Sequence, residues 1–339
     1  MVQGARSDTE RKIVSILKVL SESSEPLGSI TIARELERHG LFLGERAVRY
    51  HLRISDERGY TRPLGRDGRM ITPEGLEELR MALAPEQVGF INDTLELLAF
   101  HTTIDPQQRT GRVPINTSII ERGNFKEALA AMKDVYKAGL CVSELVAVAS
   151  EGEKLGSVVI PSGRMGLATV CSVITNGVLL KAGVPVSCRF GGVLEIRNRK
   201  PMRFIALIDY AGTSLDPSEQ YIRARMTSVG EAARTGSGKI LANFREMPAP
   251  ARAIVSEKVA LLKEAGITTG VYALGNTSEP VCQVAVSLNR VGMVLLGGLN
   301  PVAAAVEAGI EIENIAESGV IEFQQLTSFW QLYDEWSTA

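Results

Sequence analysis

Histidine is scarce in this chain and cysteine is scattered: three histidines and four cysteines stand among 339 residues. Cys141, Cys171, Cys188 and Cys282 sit singly in apolar stretches. That spacing excludes a C-x-x-C zinc or redox pair, offers no disulfide framework, and leaves reduced, buried thiols as the expectation. Only His101 lies beyond the N-terminal module. There is no Gly-x-Ser-x-Gly, no P-loop and no metal-ligand spacing, so neither an enzyme activity nor a cofactor is expected. The Gly-Ser-Gly at 236–238 and the Gly-Gly pairs at 191 and 297 are too short for phosphate loops and read as turns or close-packing points. Long apolar runs are missing as well, because Gly, Asn or a charge interrupts each before spanning length; no membrane span and a cytoplasmic location are expected.

What is present is an ordinary globular composition, 45% hydrophobic and 22% charged, with room for two domains. The net charge of −2 argues against nucleic acid only if charge is spread evenly, and it is not. Between Gly44 and Met70, Arg46, Arg49, Arg53, Arg58, Arg62, Arg66 and Arg69 face only Glu45, Asp56, Glu57 and Asp67.

Residues 1–83 read as a winged helix-turn-helix. In 9–22, Ile13, Ile16, Leu17 and Leu20 recur at helical spacing, and Pro26 follows. Ser29 or Thr31 is placed to cap a second helix with Ile32, Ala33 and Leu36 inward and Gly40 at its end. A third helix, about Glu45 to Arg58, turns Val48 and Leu52 inward and Arg46, Arg49, Tyr50 and Arg53 outward. Ser55, one turn on, breaks the apolar face, with Ile54 placed to compensate. TRPLGRDGRMIT then reads as two strands around a tight Asp67-Gly68 turn, and Pro73 opens a closing helix carrying Leu76, Leu79 and Leu83. In such a module the third helix enters the DNA major groove, and wing arginines, here Arg62, Arg66 and Arg69, meet phosphates. The competing reading is a solvated basic face, or a module that binds protein or RNA.

Residues 84–339 read as a mixed α/β regulatory domain built from an internal duplication, about 109–196 and 234–326. RTGRVPINTSII from Arg109 resembles RTGSGKILANF from Arg234, and GRMGLATVCSVITNG aligns without gaps to NRVGMVLLGGLNPVA. Each copy reads as strand, helix, two strands, helix, strand. In the first these are Val113–Ile119, Phe125–Lys137, Cys141–Val148, Val158–Pro161, a helix over Met165–Ala182, and Val184–Arg189. GGVLEIRNRKPMRFIALIDYAG between the copies reads as a further hairpin. A helix over 85–100, with Val88, Ile91, Leu95 and Leu98 inward, joins the two domains.

Two places look able to hold an anion. Ser162, Gly163 and Arg164, and in the second copy Ser287, Asn289 and Arg290, fall where a strand hands over to a helix, so amides, a helix dipole and an arginine fork would converge. A plain helix cap with a surface arginine fits each site equally well. Thr175, Asn176 and Arg189 are weaker candidates for the same ligand.

The segments ERKIVSILKVLSES, GERAVRYHL, DERGY and GRDGRMITPEGLEEL, followed by PINTSII, YAGTSLDPSE and ILANFREMPA, resemble the archaeal nitrogen repressor family NrpR over nearly the whole chain. The resemblance implies a winged helix followed by a single copy of a dedicated regulatory domain. It implies repression of nitrogen-assimilation genes by a homodimer on inverted-repeat double-stranded DNA, with 2-oxoglutarate as the inducer that weakens binding. The DNA-reading role carries onto Arg46, Arg49, Tyr50 and Arg53, in the matching RAVRYHLR segment. No effector contact transfers residue by residue, so Ser162, Gly163, Arg164, Asn176, Arg189 and Arg290 rest on the physical argument alone. Two alternatives stay open: a DNA-binding module fused to a small-acid enzyme, and a corepressor that acts on another regulatory protein.

Overall fold

The N-terminal apolar stripe forms helix α1 (Asp8–Ser21), which buries Ile13, Ile16, Leu17 and Leu20 together with Val14 and Val19. Helix α2 (Ser29–Arg38) buries Ile32 and Leu36 against it, and α3 (Glu45–Glu57) adds Val48 and Leu52. Ser55 does not unseat α3: it is fully buried and its hydroxyl donates back to the His51 carbonyl at 2.9 Å, while Ile54 packs beside Ile13 and Leu17. Ser29 is no helix cap. Its hydroxyl points at α3, donating to Glu45 and accepting from Arg49, both at 3.2 Å.

The wing comprises β1 (Thr61–Pro63) and β2 (Arg69–Ile71), paired antiparallel with Arg62 opposite Met70. The turn is wider than the two-residue reversal expected at Asp67-Gly68: a 3-10 turn over Gly65–Asp67 precedes Gly68, whose φ of 115° no other residue adopts without strain. Leu27 pairs with Arg69 on the far side of β2. Helix α4 (Pro73–Leu83) closes the module through Leu79 and Ala82, with Leu76 exposed.

The structure, a computed structural model, describes residues 8–23, 25–38, 40–83, 90–268 and 271–338. The chain divides into two units, Met1–Val88 and Gly89–Ala339. The joining helix is present from Phe90 as α5 (Phe90–His101), with Ile91, Leu95 and Leu98 buried; Val88 lies outside the described residues.

The second unit continues as β3 (Arg112–Glu121), α6 (Phe125–Lys137), β4 (Leu145–Ser150), β5 (Lys154–Leu155), β6 (Val158–Val159), β7 (Arg164–Val170), α7 (Val173–Lys181), β8 (Ser187–Arg197) and β9 (Lys200–Asp209). After α8 (Pro217–Arg223) and α9 (Val229–Thr235) come β10 (Gly238–Pro248), α10 (Arg252–Glu264), β11 (Ala273–Thr277), β12 (Arg290–Leu296), α11 (Asn300–Glu307), β13 (Ile312–Glu322), β14 (Thr327–Ser328) and α12 (Phe329–Thr338). Met165–Ala182 is therefore not one helix. Its first half is β7, buried on both faces between β3 and β4, and such a strand has an uninterrupted apolar run with no alternation to distinguish it from helix. Likewise Val184–Arg189 is no separate strand: β8 runs on to Arg197 and forms the hairpin with β9.

The strands form two five-stranded antiparallel sheets, ordered β13-β3-β7-β4-β14 and β9-β8-β10-β12-β11. Each sheet holds the first three main strands of one copy and, beside the first of them, the last strand of the other copy: β13 lies on β3, and β8 on β10. The copies have thus exchanged their terminal strands. The largest apolar cluster joins α6, α9, α11 and α12 to side chains of both sheets, including Met165, Leu167, Phe244 and Val294.

Candidate functional site

In the N-terminal unit, Arg46, Arg49, Tyr50 and Arg53 all lie on the exposed face of α3, opposite Val48 and Leu52. Arg49 is held by Glu45 one turn back, and Arg53 sits over the Tyr50 ring at 5.9 Å while reaching Glu57 at 3.8 Å. These exposed i,i+4 pairs are weak, and the guanidinium groups exchange such partners for phosphate or a base edge at little cost. Arg62 and Arg66 are exposed on the wing. Arg69 is different: it is half-buried, its Nε donates to Asp56 at 2.9 Å, and Thr61 binds the same carboxylate, so it ties the wing to α3. Beneath the basic face His51 is buried, and desolvation, with Lys12 nearby, lowers its pKa and favours the neutral ring.

In the second unit the anion-site candidates do not converge. Arg164 and Arg290 each begin a strand, β7 and β12, so no helix N-terminus is behind them. The donors of the first loop are already committed: the Ser162 hydroxyl and the Gly163 N–H both reach Glu151, and these bonds lower the Glu151 pKa. Arg164, half-buried, stands 3.5 Å from Glu121. In the second sheet Arg189 of the first copy and Arg290 of the second do meet, but on a buried carboxylate: Arg189 Nη1 lies 3.2 Å and Arg290 Nε 3.3 Å from Glu246 Oε2, and Ser287 accepts from Arg189. Thr175 is buried in α7. Asn176, next along α7, donates to Cys188 Sγ at 3.1 Å, and both residues line a cavity of about 340 Å³ with Leu95, Glu96 and Ala99 of α5.

Beside that cavity stands a polar cluster that the motif reading missed. Arg245 on β10 is fully buried directly across from Cys188 on β8 and packs its guanidinium 5.1 Å from the Tyr210 ring. The Tyr210 hydroxyl donates to Asn243 at 2.6 Å, and Asn243 in turn donates to Ser172. Asp216 and Glu317 lie in the same interior, where burial above all pushes both carboxyls upward, with Glu219 adding to the rise at Asp216 and Asp216 to that at Glu317. Glu317 reaches it through a bulge in β13 that interrupts the register between Ile315 and Gly319 and leaves Glu317 at a φ of 48°. One signal was readable, since ILANFREMPA sets two charges inside a largely apolar strand; in the sheet register Arg245 and Glu246 stand where the first copy has Ser118 and Ile119.

Among the described residues no group of acidic, histidine and cysteine side chains could hold a metal, and no helix is long and apolar enough to cross a membrane.

Comparison with known proteins bears on both units. Residues 88–328 match the family described as NrpR regulatory domains NRD1 and 2, and residues 14–79 match the ribonuclease R winged-helix domain. The chain is 39% identical over 317 residues to the global nitrogen regulator NrpRI of Methanosarcina mazei, covering 94% of this chain and 97% of that protein. It is 32% identical over 320 residues to the global nitrogen regulator NrpR of Methanocaldococcus jannaschii, where it spans 94% of its own length and 55% of the relative's. A crystal structure of a nitrogen repressor-like protein from Methanococcus jannaschii superposes with a TM-score of 0.58 at 29% identity, over 72% of this chain and 98% of that one.

Proposed function

This chain belongs to the NrpR family of nitrogen regulators, and from that premise we propose that it is a transcriptional repressor of nitrogen-assimilation genes that 2-oxoglutarate releases from DNA. It works as a homodimer, each α3 entering the major groove of one half of an inverted repeat, because one short module makes too few base contacts for tight specificity. The observation that carries this reading is the exposed face of α3, where Arg46, Arg49, Tyr50 and Arg53 stand together on a helix firmly seated by Val48 and Leu52. Arg62 and Arg66 of the wing add phosphate contacts. The regulatory unit has to bind 2-oxoglutarate better in one arrangement than in another, since only differential affinity shifts a population. A hundredfold shift needs roughly 2.7 kcal/mol of preference.

The test is a titration into a labelled duplex carrying an inverted repeat from upstream of a glutamine-synthetase or nitrogenase gene, at fixed salt, with and without millimolar 2-oxoglutarate. Specific binding that the effector weakens is expected, and Arg49→Glu should abolish that binding and flatten its dependence on salt. Specific binding indifferent to 2-oxoglutarate removes the effector from the reading. Binding that Arg49→Glu leaves untouched removes α3 from the DNA interface.

A further inference from the structure

A serine at the start of a helix most often spends its hydroxyl on nearby backbone. Ser29, the first residue of α2, spends it on α3 instead. It donates to Glu45 Oε1 at 3.2 Å and accepts from Arg49 Nε at 3.2 Å, while Arg49 Nη2 donates to that same Glu45 oxygen. Side chains from two helices thus close a triangle of hydrogen bonds. An exposed pair one turn apart is weak when nothing else holds it, and Arg53 with Glu57 at 3.8 Å is a pair of that kind. The Arg49 pair has a third member on the neighbouring helix, so its guanidinium is fixed in direction as well as in place. Nε–H and the adjoining Nη2–H form one edge of the guanidinium plane, and both are taken. What remains includes the parallel pair at the tip, one N–H on Nη1 and one on Nη2, at the end of a side chain that is 67% exposed.

We propose that Ser29 and Glu45 are positioning residues for sequence recognition: together they aim the tip of Arg49 at a guanine in the major groove. The proposal rests on the reading of α3 as the helix that enters DNA, and it adds which base Arg49 reads and what aims the contact. Arg49 lies in the N-terminal half of α3, the part of a recognition helix that meets base edges. Guanine is the base whose major-groove edge offers two acceptors side by side, O6 and N7, and the two N–H groups at the tip match them. Arg49 need not leave Glu45 or Ser29 to make this contact, because those bonds use the other edge of its plane. The competing acceptor is a phosphate, and two features count against it. Phosphate oxygens accept over a wide range of directions, so a guanidinium fixed in direction gains nothing there that a swinging one lacks. A carboxylate held against Arg49 also repels a phosphate, whereas a base edge carries no net charge.

The test is a titration of the full chain, at fixed salt, into an inverted-repeat duplex from upstream of a glutamine-synthetase or nitrogenase gene. It is repeated on duplexes in which 7-deazaguanine, which lacks the N7 acceptor, replaces one guanine of each half-site in turn. The parent should lose about tenfold in affinity at one of these positions. Arg49→Ala should bind the natural duplex and that substituted duplex alike. Ser29→Ala and Glu45→Gln should each shrink the penalty to about twofold, since both act through Arg49. Glu45→Gln should also bind an unrelated duplex more tightly than the parent does, because an acid beside the phosphates has gone. A merely structural loss would weaken every duplex alike and leave the N7 penalty as it was. The proposal is overturned if Ser29→Ala and Glu45→Gln keep the full penalty, or if no guanine N7 answers to Arg49, which would place Arg49 on phosphate. Should Glu45→Gln fail to fold, Ser29→Ala, which alters no charge, decides alone. Through either failure, specific binding of the inverted repeat by the parent leaves the functional reading standing. A parent with no specific binding removes that reading and the proposal together.

Discussion

The side chains of this protein divide into those that hold it together and those left over for a partner, and residue type does not predict which is which. Arg69 and Arg66 are both wing arginines, yet one is tied to Asp56 and the other faces solvent. Arg189 and Arg290 converge on Glu246, whereas Arg245, one residue before that carboxylate, is fully buried over the Tyr210 ring. His51 belongs to the first group, and its burial has a consequence in pH. Its folded pKa lies below the ordinary 6.5, so below that value the unfolded chain takes up a proton that the folded unit resists, and stability falls with falling pH. Melting the winged-helix unit between pH 7.5 and 5 should show this decline, and His51→Leu should flatten it; an unchanged slope would mean that the carboxylates alone set the acid response.

At the scale of elements, the wing depends on a single backbone position. A Cβ on Gly68 would stand 2.4 Å from the carbonyl carbon of Leu27, and the φ of 115° is itself closed to alanine. Gly68→Ala should therefore cost about 1–3 kcal/mol in a urea melt and weaken operator binding by displacing Arg62 and Arg66. If the melt and the binding curve both match the parent, the wing is not fixed in this way. Elements with one wet face were legible in the sequence, because α1, α2 and α3 alternate buried and exposed positions with helical period. Elements dry on both faces were not. Met165 to Val170 reads equally well as the start of a helix, and that ambiguity placed Arg164 at a helix terminus that does not exist. The cluster around Arg245 escaped for a related reason: Tyr210, Asp216, Arg245 and Glu317 come from four separate elements, and only the folded chain brings them together.

For the whole molecule, sequence comparison within the chain showed that the regulatory unit is duplicated but not how the copies are joined, since strand exchange leaves no mark on the order of elements. With β8 paired to β10 and β13 to β3, neither copy closes its own sheet. Ending the chain before Ile312 should unfold more than the lost segment, because β3 becomes an uncovered edge flanked by buried residues. Hydrogen exchange would then speed up throughout β3 and β7, whereas loss of protection confined to the C-terminal residues would argue that the copies fold independently. The exchange also bears on ancestry. A single copy whose last strand has left its own sheet can be completed only by a second copy doing the same, so a chain with one copy would have had to live as an interlocked pair. With both copies in one chain, what would be a bond between molecules is a bond within one.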